Sequence, residues 1–220
     1  MNKTKVHVII LLVEGATEVE FYTKIRSILL NRYPKTDKYQ FLPPINVKGI
    51  GNFKIRASRQ FDHAVQKFEA DRKKDSKQKT KKKDVKIKYQ YHAFMCIDTD
   101  VLDSSARTAK FSQKPPINED DKKQRIQEKN GTPHFIKAEY SIEDWFLEDK
   151  KGIMEFLQNP KLPKFSTNQS GAEKLKAIFK AGNKVYTKGT SCKGFIDCLN
   201  IDMILTNHKN EFEELIDILK

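Results

Sequence analysis

The stretch Lys5-Val6-His7-Val8-Ile9-Ile10-Leu11-Leu12-Val13-Glu14-Gly15-Ala16-Thr17-Glu18 decides the reading of this chain. Residues 5–13 are too continuously apolar for a half-exposed strand and suit one buried on both faces, as in a parallel sheet. The run breaks at Glu14-Gly15. It passes into Glu18–Leu30, where Val19, Tyr22, Ile25, Ile28 and Leu29 recur at helical spacing. Thr17 followed three residues on by Glu20 has the form of a capping box, which starts the helix near Glu18. Strand, glycine turn and helix together open an α/β unit.

Working outward, the pattern repeats. Ile45–Val47 reads as a short strand before a helix over Phe53–Asp71, and Tyr89–Ile97 as a strand that ends on Asp98-Thr99-Asp100. A loop over Ser104–Pro116 leads to a polar helix, Glu119–Lys129, stopped by Asn130-Gly131. Pro133–Tyr140 is a fourth strand, and after Ser141 a helix runs over Ile142–Asp149, with Ser141 and Asp144 spaced as a second capping box. Beyond about residue 150 only helices are expected, over Ile153–Leu157, Ala172–Ala181 (Ser170 as cap), Phe195–Leu205 and Glu211–Leu219. Alternating strands and helices predict a roughly four-stranded parallel sheet with helices on both faces. The organisation expected is a core over residues 1–150, with a lysine-rich, exposed or poorly ordered insertion at about 72–88, and a small helical extension over 151–220.

The 220 residues carry 42 Lys and Arg against 29 Asp and Glu, a formal net charge of +13. The charge is unevenly spread: residues 71–88 hold 10 basic and 3 acidic groups, whereas residues 89–150 hold 9 basic and 12 acidic. Basic surface suits a polyanionic partner. Lys73, Lys74, Lys81, Lys82, Lys83 and Lys193 are the expected phosphate contacts. Cys96, Cys192 and Cys198 form no CxxC pair and suit a reducing compartment. The longest apolar run, Val8–Val13, is far short of the ~20 residues that span a bilayer. The expectation is a cytoplasmic protein with no membrane partner.

Ligand crevices of open α/β sheets lie beyond the carboxyl ends of the strands. Glu14 closes the first predicted strand, Asp98 and Asp100 the third, and Glu143 and Asp144 follow the fourth; Glu18 lies one helical turn after Glu14. Carboxylates gathered at one sheet edge repel unless a cation holds them. An all-oxygen set favours a hard divalent ion, Mg²⁺ or Mn²⁺. The histidines His7, His63, His92, His134 and His208 match no zinc spacing. A carboxylate-held Mg²⁺ in a basic chain suits phosphoryl chemistry on nucleic acid.

Val13-Glu14-Gly15-Ala16-Thr17-Glu18, then Asp98-Thr99-Asp100 after a strand some eighty residues on, resemble the toprim domain. The first motif is similar to the EGxTE form of OLD-type and RloB-like toprim nucleases, and Ser141-Ile142-Glu143-Asp144-Trp145-Phe146 resembles the later SxExW segment of that subgroup. The resemblance covers about residues 5–150. It implies a Rossmann-like toprim core and a Mg²⁺-dependent endonuclease of DNA or RNA, tRNA included. Glu14 would be acid–base residue or metal ligand, Asp98 and Asp100 metal ligands, and Glu18 and Glu143 would complete one or two ion sites. It also implies a transition-state lysine downstream, for which Lys188 is the candidate and Lys193 the rival. The sequence has no GxxxxGK[ST] loop. The resemblance therefore points to a phage-defence effector working with a separate ABC-type ATPase; monomer and homo-oligomer both stay open. Two alternatives stand beside it: a small toprim ribonuclease of RNA maturation, and a non-catalytic nucleic-acid-binding or regulatory subunit whose acids are structural.

Overall fold

A computed structural model describes residues 4–34, 37–78, 87–99, 118–158, 161–165 and 169–220. The chain is an α/β protein built on one parallel sheet. Its strands are β1 (Thr4–Val13), β2 (Tyr39–Phe41), β3 (Ile45–Asn46), β4 (Ile87–Asp98) and β5 (Gly131–Ala138), and every pairing among them is parallel. β1 is central. It pairs with β4 along nearly its whole length, β4 pairs in turn with β5, and the other edge of β1 is shared between β2 (His7 opposite Tyr39) and β3 (Leu12 opposite Ile45). The sequence signalled only the second of these edge strands. β2 is three residues long, and Pro43-Pro44 between the two strands have no N–H to continue the ladder.

Helices cover both faces, as the alternation of strand and helix predicted. Period-two alternation along the strands assigns each residue its side. Val8, Ile10, Leu12, Ala93, Met95 and Ile97 pack against Phe53, Ala57 and Phe61 of α2 (Ile50–Gln78) and Ile126 of α3 (Glu119–Gln127). Ile9, Leu11, Val13, Phe94, Cys96 and Ile136 pack on the other face. There they meet α1 (Ala16–Arg32) and the run α4 (Ile142–Phe146), α5 (Lys150–Leu157), α6 (Gly171–Ala181), α7 (Lys193–Cys198), α8 (Ile201–Asn207) and α9 (Glu213–Leu219). Leu175, Ile178, Phe179, Phe195 and Phe212 belong to the same buried cluster as the central strand, so the helices after residue 150 complete this face of the core.

Several local expectations are corrected. α1 starts at Ala16 with Gly15 as its cap and uses no side-chain capping bond. Thr17 and Glu20 make no capping box because both side chains are committed to residues 190–192 instead. Ser141 likewise makes no capping bond to the backbone; its hydroxyl donates to the Asp144 carboxylate at 2.7 Å. α2 runs on to Gln78, so the start of the lysine-rich run is helix rather than loose insertion, and the Arg72 guanidinium lies 3.7 Å from the Tyr89 ring centre. The helix expected over 195–205 is two helices, divided at Asn200, whose side chain caps α8 through the Met203 N–H. The Ser170 cap of α6 stands as a full capping box with Glu173. Among the described residues, no helix is long and apolar enough to cross a membrane.

Candidate functional site: an acid crevice at the carboxyl edge of the sheet

The parallel sheet brings the carboxyl ends of β1 and β4 side by side and delivers Glu14 and Asp98 to one place. The Asp98 N–H lies 3.5 Å from Glu14 Oε1. Asp98 is the last residue of β4, on the same side as Phe94 and Cys96, so it faces α1 and α4. Its Oδ1 accepts from the Ile142 N–H at 2.9 Å, which ties the start of α4 to the end of β4. One residue further, Glu143 turns inward and is 1 % exposed; Glu18, in the first turn of α1, is 5 % exposed. Glu14, Glu18, Asp98 and Glu143 are all buried, and four buried acids at one sheet edge need an explanation.

Part of it is Lys188. Its Nζ donates to Asp98 Oδ2 at 2.7 Å and lies 3.6 Å from Glu143 Oε2, so one ammonium stands between two carboxylates. Tyr186, two residues earlier, donates its hydroxyl to Glu143 Oε1 at 2.8 Å. Residues 186–192 then lie along the start of α1. The Ala16 N–H donates to the Gly189 carbonyl at 3.1 Å and the Thr17 hydroxyl to the Thr190 carbonyl at 2.6 Å. Glu20 accepts from the Cys192 N–H at 2.9 Å and from the Ser191 hydroxyl. Gly15 is required by this closeness: a Cβ there would stand 2.8 Å from Glu18 Oε2 and 2.9 Å from Gly189 Cα. Gly189 itself has φ +79°, a conformation that favours glycine.

Among the described residues, one lysine stands against four acids. Burial, then the neighbouring Asp98 and Glu18, push the Glu14 carboxyl up to about 8. Burial likewise pushes Glu18 up to about 7, with Asp98 and Glu143 adding to the rise. Glu18 Oε2 and Glu143 Oε2 are buried acceptors with no hydrogen-bond donor among the described residues. The first has no donor to offset its desolvation, and the second has only the Lys188 ammonium at 3.6 Å. Burial and the Glu143 carboxylate beside it hold the Tyr186 phenol far above its ordinary value, so it stays a donor. Among the described residues, no three His, Cys, Asp or Glu side chains are arranged as a ready-made metal site. The chemistry of the donor set nonetheless fits a hard divalent cation, because every group is a carboxylate, Glu18 Oε2 has no hydrogen-bond donor, and Glu143 Oε2 has only the Lys188 ammonium at 3.6 Å.

The remaining expected site residues are placed as follows. Asp100 lies outside the described residues, as do Lys81, Lys82 and Lys83. Lys73 and Lys74 lie on the exposed C-terminal part of α2, where Lys74 sits 3.8 Å from Asp71. Lys193 is exposed at the start of α7, whereas Lys188 is in the crevice. Asp144 faces Ser141 and the edge of Gly171 rather than the other acids. Trp145 is a core residue, stacked on His208 at 4.4 Å. Reading the residues one after another did not single out Tyr186 or the bonds that tie residues 189–192 to the start of α1. The only signal available was the tyrosine two residues ahead of the candidate lysine.

No family model, curated protein or solved structure matches the chain.

Proposed function

We propose that the chain is a divalent-cation-dependent nuclease that cleaves phosphodiester bonds of DNA or RNA at the carboxyl edge of its sheet. The observation that carries this reading is the buried Glu18 oxygen with no hydrogen-bond donor, next to Glu143, Glu14 and Asp98, which are buried with it. Asp98, Glu143, Glu18 and Glu14 are the residues that would hold a hard cation such as Mg²⁺ or Mn²⁺. Lewis-acid stabilisation of a phosphoryl transition state is the chemistry such an ion supplies when bound.

The chain's own groups have separable parts in this reading. Glu14, which lies 3.5 Å from the Asp98 N–H, is placed either to hold the cation or to take or give a proton at its carboxyl oxygens. Lys188 sits on a glycine-flanked loop and carries a charge that can pass from Asp98 to a phosphate oxygen. Tyr186 fixes the orientation of Glu143. Gly15 keeps the turn thin enough for the 186–192 strap to close the crevice on one side. The net charge of +13 gathers the polyanion that the acids alone would repel.

The rival reading is a nucleic-acid-binding subunit in which Lys188 and the acids form a structural bridge. The 2.7 Å Lys188–Asp98 contact favours it. It leaves Glu14 and Glu18 buried and raised with no structural return, which is why the nuclease reading is preferred. The deciding experiment incubates the protein with Mg²⁺ or Mn²⁺ and plasmid, single-stranded DNA or total tRNA, wild type beside Glu14→Ala. Cleavage by the wild type that EDTA stops and Glu14→Ala lacks is the expected result. Binding without cleavage of any substrate, unaltered by EDTA, would favour the rival.

A further inference from the structure

Three large apolar residues stand exposed among the described residues, Ile87, Tyr140 and Val185, and Tyr140 is the aromatic one, 67 % exposed. It lies two residues past the end of β5, outside the strand that its sequence context predicts. Its backbone is left-handed, with φ +63°. That conformation suits Gly or Asn and is strained for a bulky residue. A buried tyrosine could offset the cost by packing; this one is turned to solvent. The conformation is held from below, because the Tyr140 N–H donates to the Thr99 hydroxyl at 2.7 Å. Thr99 follows Asp98 directly. On the other side Ser141 leads to Ile142, whose N–H binds Asp98, and to Glu143 in the crevice. An exposed aromatic residue thus stands on a tethered, left-handed backbone at the rim of the acid crevice, bonded to the residue after Asp98 and three residues ahead of Glu143.

We propose that Tyr140 is a stacking platform for an unpaired base, and hence that the substrate of the crevice is single-stranded nucleic acid or a splayed nucleotide at a junction. The proposal rests on the nuclease reading for the crevice and adds the class of substrate. Every base has a π-face, so a single aromatic platform tolerates any sequence, and a duplex keeps its bases stacked on each other and offers none to it. Phosphate contacts by lysines do not distinguish the two forms in this way.

The test compares full-length wild type with Tyr140→Ala, Tyr140→Phe and Tyr140→Gly. It measures binding of a fluorescein-labelled single-stranded oligonucleotide, and of the same sequence as a duplex, by anisotropy in EDTA. Tyr140→Ala and Tyr140→Gly are expected to weaken single-strand binding by about 5- to 100-fold, the range for loss of one stacked base. Tyr140→Phe keeps it, and duplex binding is unchanged in all three. The dependence of the single-strand affinity on salt also keeps its slope, because no phosphate contact is lost. Tyr140→Gly should melt no lower than wild type, since glycine adopts φ +63° without strain, so a loss of binding there is no folding defect. The proposal is overturned if the wild type binds no single strand, if Tyr140→Ala binds it as tightly as wild type, if duplex affinity falls in parallel, or if Tyr140→Phe loses as much as Tyr140→Ala. Cleavage in Mg²⁺ is read separately on the same proteins. Intact stacking with no cleavage by the wild type would remove the nuclease reading and leave the base platform standing.

Discussion

Two rows of titratable side chains lie at opposite ends of the same sheet, and they are built oppositely. Toward the amino end His7, His92 and His134 form a chain across β1, β4 and β5: His7 Nδ1 to His92 Nε2 at 2.9 Å, His92 Nδ1 to His134 Nε2 at 2.9 Å, and His134 Nδ1 to the Glu214 carboxylate at 2.5 Å. Glu214 can only accept, so His134 donates from Nδ1, and the same tautomer passes down the row. His92 and His134 each use both ring nitrogens. At the carboxyl end, beyond Ile9, Leu11, Phe94 and Cys96, lie Glu14, Glu18, Asp98 and Glu143, where the buried Glu18 Oε2 has no hydrogen-bond donor. A polar row that closes on itself is structure. The acid row, with raised carboxyls and one lysine among the described residues, is the row proposed to take up a cation.

That contrast can be broken by mutation. The largest effect expected is on cleavage: Asp98→Asn brings it down to the level of the EDTA-treated wild type, while Glu214→Gln, at the end of the histidine row, leaves it unchanged. Gel assays of linearised products check both. If Glu214→Gln abolished cleavage as fully as Asp98→Asn, the division into a structural row and a working row would be wrong.

Next in size is Lys188→Met. Removal of a charge from the developing phosphorane costs cleavage about 10²–10³-fold. Without the ammonium, Asp98 and Glu143 face each other uncompensated, so the variant should also melt below wild type in EDTA and recover in Mn²⁺. A variant that cleaved normally would return Lys188 to the many surface lysines of the chain.

The two rows also titrate in opposite senses. Glu14 is raised from an ordinary value near 4.5 to about 8, so the stability it brings is full below 4.5 and lost as pH rises through 8. His92 is lowered by burial, and then by His134, from near 6.5 to about 3. Its contribution is full above 6.5 and falls as pH drops toward 3. Glu14→Gln in EDTA should therefore gain on wild type as pH rises from 5 to 9, the difference growing on the order of several kcal/mol. Thermal melts at the two pH values read this. A difference that did not grow would mean the acids are satisfied as they stand.

The smallest effect is on the histidine row. His134→Leu leaves the His92 Nδ1–H buried without its acceptor, which costs about 1–3 kcal/mol of unfolding free energy. Cleavage at 25 °C should not change. Urea titration measures the first and the gel assay the second.

How much of this was legible in the residues follows from what each part depends on. The sheet was readable because buried parallel strands announce themselves: Val8–Val13 and Ala93–Ile97 have no polar alternation, and Glu14 and Asp98 sit directly after those runs. Glu14, Glu18, Asp98 and Glu143 come together because β1 and β4 are neighbours with carboxyl ends level, which the order of the motifs implies but does not state. What local reading missed depends on distant partners. Thr17 and Glu20 have the spacing of a capping box, yet residues 190–192 take both side chains, a contact across more than 170 positions. The histidine row was invisible for the same reason. His7, His92 and His134 share no sequence spacing and meet only through strand register. Tyr140 was read as the last residue of a strand, and nothing in a sequence signals a left-handed tyrosine.

The central claim, that the acid crevice is built to receive a hard divalent cation, is tested most directly by titrating Mn²⁺ and following the free-ion signal by electron paramagnetic resonance. The protein is wild type, Glu143→Gln or His134→Leu. The account predicts that wild type and His134→Leu bind Mn²⁺ with the same affinity, and that Glu143→Gln binds it more weakly by at least the roughly 10- to 100-fold that loss of even an outer-sphere partner costs. No Mn²⁺ bound by the wild type, or a loss of affinity in His134→Leu equal to that in Glu143→Gln, would contradict it.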